Sequence, residues 1–168
     1  STCLTRGTVT IYNYSKFCPQ ITSTANVNIT YSPDTMYVYG LGPANQGFPS
    51  ALDFFNFSGT SAGVTSIPSH IVLKPVYNSN LASIGSQVGG TSTNVTFILN
   101  GTISGTGGLE KTGPGIIQLN TQNISGNYNT YQDSTRIRNG TLTINAGSNM
   151  GTGPLVMHQL SGRPTTLN

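Results

Sequence analysis

The chain is short of charge. Charged residues make up 7% of its 168 positions, where soluble domains ordinarily carry about 25%. Seven cations stand against four acids, and the cations are scattered at Arg6, Lys16, Lys74, Lys111, Arg136, Arg138 and Arg163. No basic stripe results, so the pI near 9.0 does not point to nucleic acid, whose binding needs several clustered phosphate contacts. Long apolar runs are missing as well. No segment reaches the roughly 18 residues of a spanning helix, which excludes a helical membrane span in this stretch. A charged-then-apolar leader is also missing. The chain opens on Ser1-Thr2-Cys3, the expected start of a secreted product after leader removal, or of a trimmed chain.

Lys, Glu and Ala, the good exposed helix formers, are sparse, so helix is expected to be minor. Thr, Val, Ile, Tyr and Phe suit pleated strands instead, and 21 glycines with Asn and Pro suit turns. With 35% hydrophobic residues and a net charge of only +3, the chain departs from the composition of disorder. It has room for one domain, or for a cap followed by a repeat stretch. The expected fold class is all-β.

The texture changes near residue 90. Residues 1–90 hold both cysteines and most of the Phe and Tyr, and read as an aromatic-rich β cap or head. Alternating candidates there are Thr8–Tyr12 and Ala25–Tyr31, with Met36–Tyr39 and Ile71–Leu73 as further strands. Gly40–Pro49 is dense in breakers and reads as loop. Ser50–Phe57 reads as a strand, with a helical turn capped by Ser50 as the alternative. Residues 91–168 are lighter: Asn94–Leu99, Leu109–Lys111, Ile116–Leu119, Thr135–Arg138, Thr141–Ile144 and Pro154–Met157 are short apolar strands parted by Gly or Asn. Such strands suit a β-solenoid, in which each pairs with its equivalent one turn later; the two parts could also form one continuous domain. Leu109, Ile117, Leu119, Ile137, Leu142, Ile144 and Val156 are expected to form the inward column, with Glu110 and Lys111 facing solvent.

Several submotifs of this second part recur in a fixed order. Gly105-Thr-Gly-Gly-Leu-Glu-Lys-Thr-Gly-Pro-Gly-Ile-Ile-Gln-Leu-Asn120 is followed by Asn129-Thr-Tyr131, Asn139-Gly-Thr-Leu-Thr-Ile-Asn145 and Gly151-Thr-Gly-Pro-Leu-Val156, with an upstream half-match at Asn100-Gly-Thr-Ile-Ser-Gly105. The whole resembles the autotransporter-associated β-strand repeat over roughly residues 100–157. That resemblance implies a parallel β-helical stalk displayed outside a cell. The stretch from Asn120 to Ser134 is more irregular than the repeat, which implies a local bulge, and residues 1–90 resemble no named family.

Cys3 and Cys18 close a short loop, a spacing that suits a disulfide in an oxidising compartment. With only His70 and His158 elsewhere, the cysteines form no structural zinc set, and no metal or cofactor is expected. Catalytic chemistry is equally thin. Asp34, Asp53, Glu110 and Asp133 are the only acids; Glu110 and Asp133 lie about one coil apart and are the one pair that could act on a polysaccharide. Neither histidine sits in a triad setting, and no Gly-x-Ser-x-Gly elbow occurs. Asn13, Asn28, Asn56, Asn94, Asn100, Asn123 and Asn139 begin glycosylation sequons, a mild excess over what the composition gives.

The expected function is therefore structural. The sequence reads as a non-enzymatic extracellular or cell-surface protein, the stalk or cap of a secreted adhesin with a host-surface or glycan ligand. The alternatives are a subunit of an extracellular or virion-surface fibre, stacked end to end, and a β-helical polysaccharide-acting enzyme. Self-association, or continuation into a longer chain, is expected at the carboxyl-terminal end, which carries no evident lid.

Overall fold

The computed structural model describes residues 6–18, 20–21, 29–30, 32–44, 49–56, 64–88, 96–120, 128–145, 150–158 and 164–168. Among them there is no helix, as the scarcity of helix formers predicts. The strands are Thr8–Ile11 (β1), Gln20–Ile21 (β2), Ile29–Thr30 (β3), Thr35–Tyr39 (β4), Leu52–Asn56 (β5), Val64–Ile67 (β6), His70–Lys74 (β7), Leu81–Val88 (β8), Thr96–Leu99 (β9), Ile103–Ser104 (β10), Gly108–Thr112 (β11), Ile116–Leu119 (β12), Thr135–Ile137 (β13), Gly140–Ile144 (β14), Leu155–Met157 (β15) and Thr165–Leu167 (β16). The molecule is all-β.

These strands form three sheets in which every pairing between named strands is parallel. Sheet I runs β1-β4-β7-β10, sheet II runs β2-β5-β8-β11-β13-β15, and sheet III runs β3-β6-β9-β12-β14-β16. Successive strands visit sheets I, II and III in turn, so each strand pairs with the one laid down a circuit earlier. After β12 the visit to sheet I is made by an irregular segment. Thr130 N donates to Ile103 O at 2.8 Å and Gln132 N to Gly105 O at 3.1 Å, so residues 130–132 follow the edge of β10 without becoming a strand. All three sheets take strands from both sides of residue 90, since β10 pairs with β7, β9 with β6, and β11 with β8.

Parallel pairing without register slip stacks like on like. In sheet I the partners Met36, Ile71 and Ile103 are all fully buried, as are Val38 and Leu73. In sheet III, Phe97, Ile117 and Leu142 form one column and Leu99 and Leu119 the next. Phe54 of sheet II meets Phe97 of sheet III with ring centroids 5.0 Å apart, which ties two sheets together across the interior. Each such side chain contributes about 1.5–3 kcal/mol through removal from water.

Of the residues expected in the inward column, Leu109, Ile117, Leu119, Ile137 and Leu142 are buried and Ile144 is partly buried against them. Val156 is a correction: it pairs with Arg136, which pairs with Glu110, on the outward side of sheet II, and it is 38% exposed. Its neighbours Leu155 and Met157 align with buried Thr135 and Ile137, because side chains alternate across a strand. Glu110 and Lys111, expected in solvent, are a second correction; both are fully buried. The carboxyl-terminal stretch adds a strand, β16, paired to β14.

Candidate functional site

Polar chemistry gathers around sheet II. Lys111 alternates inward with Ile84 and Ile137, and its ammonium donates to the carbonyl oxygens of Thr112 (2.7 Å), Gly113 (2.7 Å) and Asn139 (3.0 Å). The chain turns from sheet II to sheet III here, through Gly113 (φ +75°) and Gly140 (φ +73°). A Cβ on Gly140 would sit 2.4 Å from Gly113 O, so the two corners stack only as glycine on glycine. The turns aim these carbonyls inward, and Lys111 supplies donors to them. Burial pulls its pKa down to about 7, opposed by the Asp53 carboxylate. Lys111 is fully buried.

Glu110, one residue earlier, points outward and is covered from the next circuit. Arg136 and Arg138 each place Nη1 3.4 Å from one of its carboxylate oxygens. On a strand, i and i+2 share a face, which is why two arginines reach one acid. Asp53 is the third buried ion: Lys16 pairs with it and Gln87 Nε2 donates to Oδ2 at 2.6 Å. Burial pushes its carboxyl pKa up, while Lys16 and the Ser50 hydroxyl oppose that rise.

Tyr131 and Asn129 give the Asn-x-Tyr motif its physical role. Asn129 Oδ1 accepts from Ile103 N at 2.7 Å and completes the edge of β10. Tyr131 is fully buried, and its hydroxyl lies 2.5 Å from Thr135 Oγ1. One ring fills the interior where sheet I lacks a strand.

An open feature lies where loops of successive circuits stack. Asn13 lies over Gly40, leaving no room for a Cβ there, with Oδ1 2.3 Å from the position it would take. Asn13, Tyr14, Leu41, Pro49, Asn78 and Arg138 then line a hollow of about 250 Å³. A second hollow of about 370 Å³ shares Leu41, Asn78 and Ser79 and extends over Asp133, Ser134 and Arg136. Tyr14 stands 64% exposed in a left-handed conformation, φ +62°, that a bulky side chain rarely adopts. Nearby on sheet I, Tyr12 stacks on Tyr39 with centroids 5.9 Å apart, and Lys74 lies 5.9 Å from the Tyr37 ring.

The residues singled out in the sequence divide between these features. Asp133 Oδ1 accepts from Ser134 N at 2.5 Å, and Glu110 is held by its arginines, so the two acids are engaged separately. His70 Nε2 lies 2.7 Å from Ser104 Oγ, and His158 N donates to Ile137 O; both sit at strand ends. Cys18 is half-buried, and Cys3 lies outside the described residues. Among the sequons, Asn28, Asn94 and Asn123 lie outside the described residues. Asn139 is 4% exposed, and its Oδ1 accepts from Gly140 N. Asn100 is a rung of a ladder: it donates to Ser66 Oγ (2.6 Å), Asn120 donates to Asn100 (2.7 Å), and Asn145 donates to Asn120 (2.7 Å). Sequence reading missed the groove, because its walls come from residues far apart in the chain. Its one local signal was the breaker-rich stretch from Gly40 to Pro49.

No group of three or more His, Cys, Asp or Glu among the described residues is placed to hold a metal ion. Comparison with protein-family models, with curated proteins and with solved structures found no match to this chain.

Proposed function

We propose that this chain is a β-solenoid segment of a non-enzymatic extracellular surface protein, structural and adhesive in role and related to the autotransporter-associated β-strand repeat. The observation that carries this reading is the cyclic visit of successive strands to three parallel sheets around one apolar interior. A chain so built gains length by adding circuits, each buried against the last, and its outward residues are free for contact. The low charge and the Ser, Thr, Asn and Tyr of the outer surface suit contact through hydroxyls, amides and rings rather than ion pairing. An antibody raised to the chain is expected to label intact, unpermeabilised cells or particles of its source. Labelling only after permeabilisation would overturn the extracellular assignment.

A second reading, a fibre subunit stacked end to end, is favoured by a separate observation. Among the described residues β15 and β16 are paired on one side only, and Leu155, Val156, Met157 and Leu167 are 36%, 38%, 46% and 38% exposed along them. An open parallel edge with apolar side chains is a template for another strand layer. Electron microscopy of the purified protein separates the readings, since filaments belong to the second alone.

A further inference from the structure

We infer that the groove formed by residues 13–14, 41–44, 49, 76–80 and 133–138 binds an uncharged oligosaccharide. The inference rests on the adhesive reading above and names its ligand class. Size is the first argument. The two adjoining hollows, about 250 and about 370 Å³, together reach the range of ligand clefts, about 300–1,000 Å³.

Chemistry is the second argument. The first hollow has apolar stretches from Leu41, Pro49 and Val76, and the second is bordered by the amides and hydroxyls of Asn78, Ser79, Asn80 and Ser134. A pyranose ring has the matching character: C–H faces that lie on apolar and aromatic surface, and an edge of hydroxyls that both donate and accept. Charge decides against an acidic ligand. Arg136 and Arg138 are offset by Glu110, which they hold, and by Asp133 in the same wall. With two cations balanced by two acids a polyanion finds no net positive field and meets the Asp133 carboxylate in the wall, whereas a neutral sugar meets donors and acceptors together.

Conformation is the third argument. Tyr14 holds φ +62° with its ring in solvent at the rim of the hollow. An exposed tyrosine gains little by burial there, so the strain points to a role for the ring outside the fold.

The test is calorimetric titration of the whole chain with cellohexaose, laminarihexaose and mannohexaose, with a heparin-derived hexasaccharide as acidic control. At least one neutral hexasaccharide is expected to bind with Kd below about 1 mM, with little change between low and high salt. Tyr14→Gly separates binding from folding, because glycine adopts the same φ without strain. The variant should keep or raise the thermal midpoint while losing about tenfold or more in affinity. Asn78→Ala, in an exposed turn, should weaken binding likewise, and Tyr128→Ala, outside the groove, should leave it unchanged. Absence of neutral-sugar binding, undiminished binding by Tyr14→Gly and Asn78→Ala, or binding of the acidic control alone with steep salt dependence would each overturn the inference. None of these outcomes touches the surface-protein reading, which stands or falls on cell labelling.

Discussion

Lys111 shows how a charged side chain can serve a core. Its stem lies in a column with Ile84 and Ile137, and its three donors answer three carbonyls that the corner turns inward. Replacing it by Met keeps the stem and leaves those acceptors unpaired; at about 1–3 kcal/mol for each unsatisfied buried group, with partial relaxation, a loss of about 3 kcal/mol is expected in urea unfolding at pH 7. The pH dependence has a definite sign. Folded Lys111 releases its proton near pH 7, but the unfolded side chain holds it to about 10.5. Between those values the unfolded state binds more protons, so the cost of burying the charge is fully present below pH 7 and relieved as pH rises. Wild-type stability should therefore gain relative to Lys111→Met from pH 7 to 10, and parallel profiles of the two proteins would contradict the assignment. The sequence held no signal for this burial, because a Lys between Glu and Thr reads as solvated until the carbonyls of residues 112, 113 and 139 are brought around it.

Among the elements, the legible strands are those with one apolar face. β4, β7, β9, β12 and β14 follow the expected apolar segments to within a residue or two, since alternation records which face is inside. β8, the longest strand, gave no such signal. Leu81-Ala82-Ser83-Ile84-Gly85-Ser86 is buried throughout, with serine and glycine at positions where Ala51 N, Asp53 and Ser50 press close. A strand buried on both faces, apolar on one and polar on the other, loses the exposed-buried alternation that would reveal it. The repeat itself is partly hidden by unequal circuits, for Thr35 pairs with His70 but Leu109 with Thr135. The candidate groove was illegible for the same reason, as it joins loops of several circuits. The asparagine ladder, by contrast, is a property of neighbouring circuits and can be tested as one. Asn120→Ala removes a donor and an acceptor from the middle rung and should cost about 1–2 kcal/mol, whereas Asn145→Ala at the exposed end should cost about 0.5 kcal/mol. Equal costs in chemical denaturation would show that the rungs act independently of position.

Each circuit is held by its neighbours, and among the described residues the last one, carrying β15 and β16, is paired on one side. Met157→Lys places a charge on the inward-facing register of that circuit and should oppose any further strand layer. Sedimentation velocity of the wild type should show concentration-dependent association that the variant weakens about tenfold; identical profiles would dismiss edge pairing. The stacking of circuits has one more consequence, chemical rather than mechanical. Asn100-Gly101 and Asn139-Gly140 are the dipeptides in which a glycine nitrogen most readily attacks the preceding amide and converts asparagine to isoaspartate. In the folded chain Gly101 N donates to Ile67 O and Gly140 N to Pro164 O, while the Asn100 amide donates to Ser66 Oγ and Asn139 Oδ1 accepts from Gly140 N itself. Cyclisation then has to wait for a circuit to open. The slow accumulation of isoaspartate at these two positions becomes a molecular clock, one that ticks at the rate at which the stack comes apart.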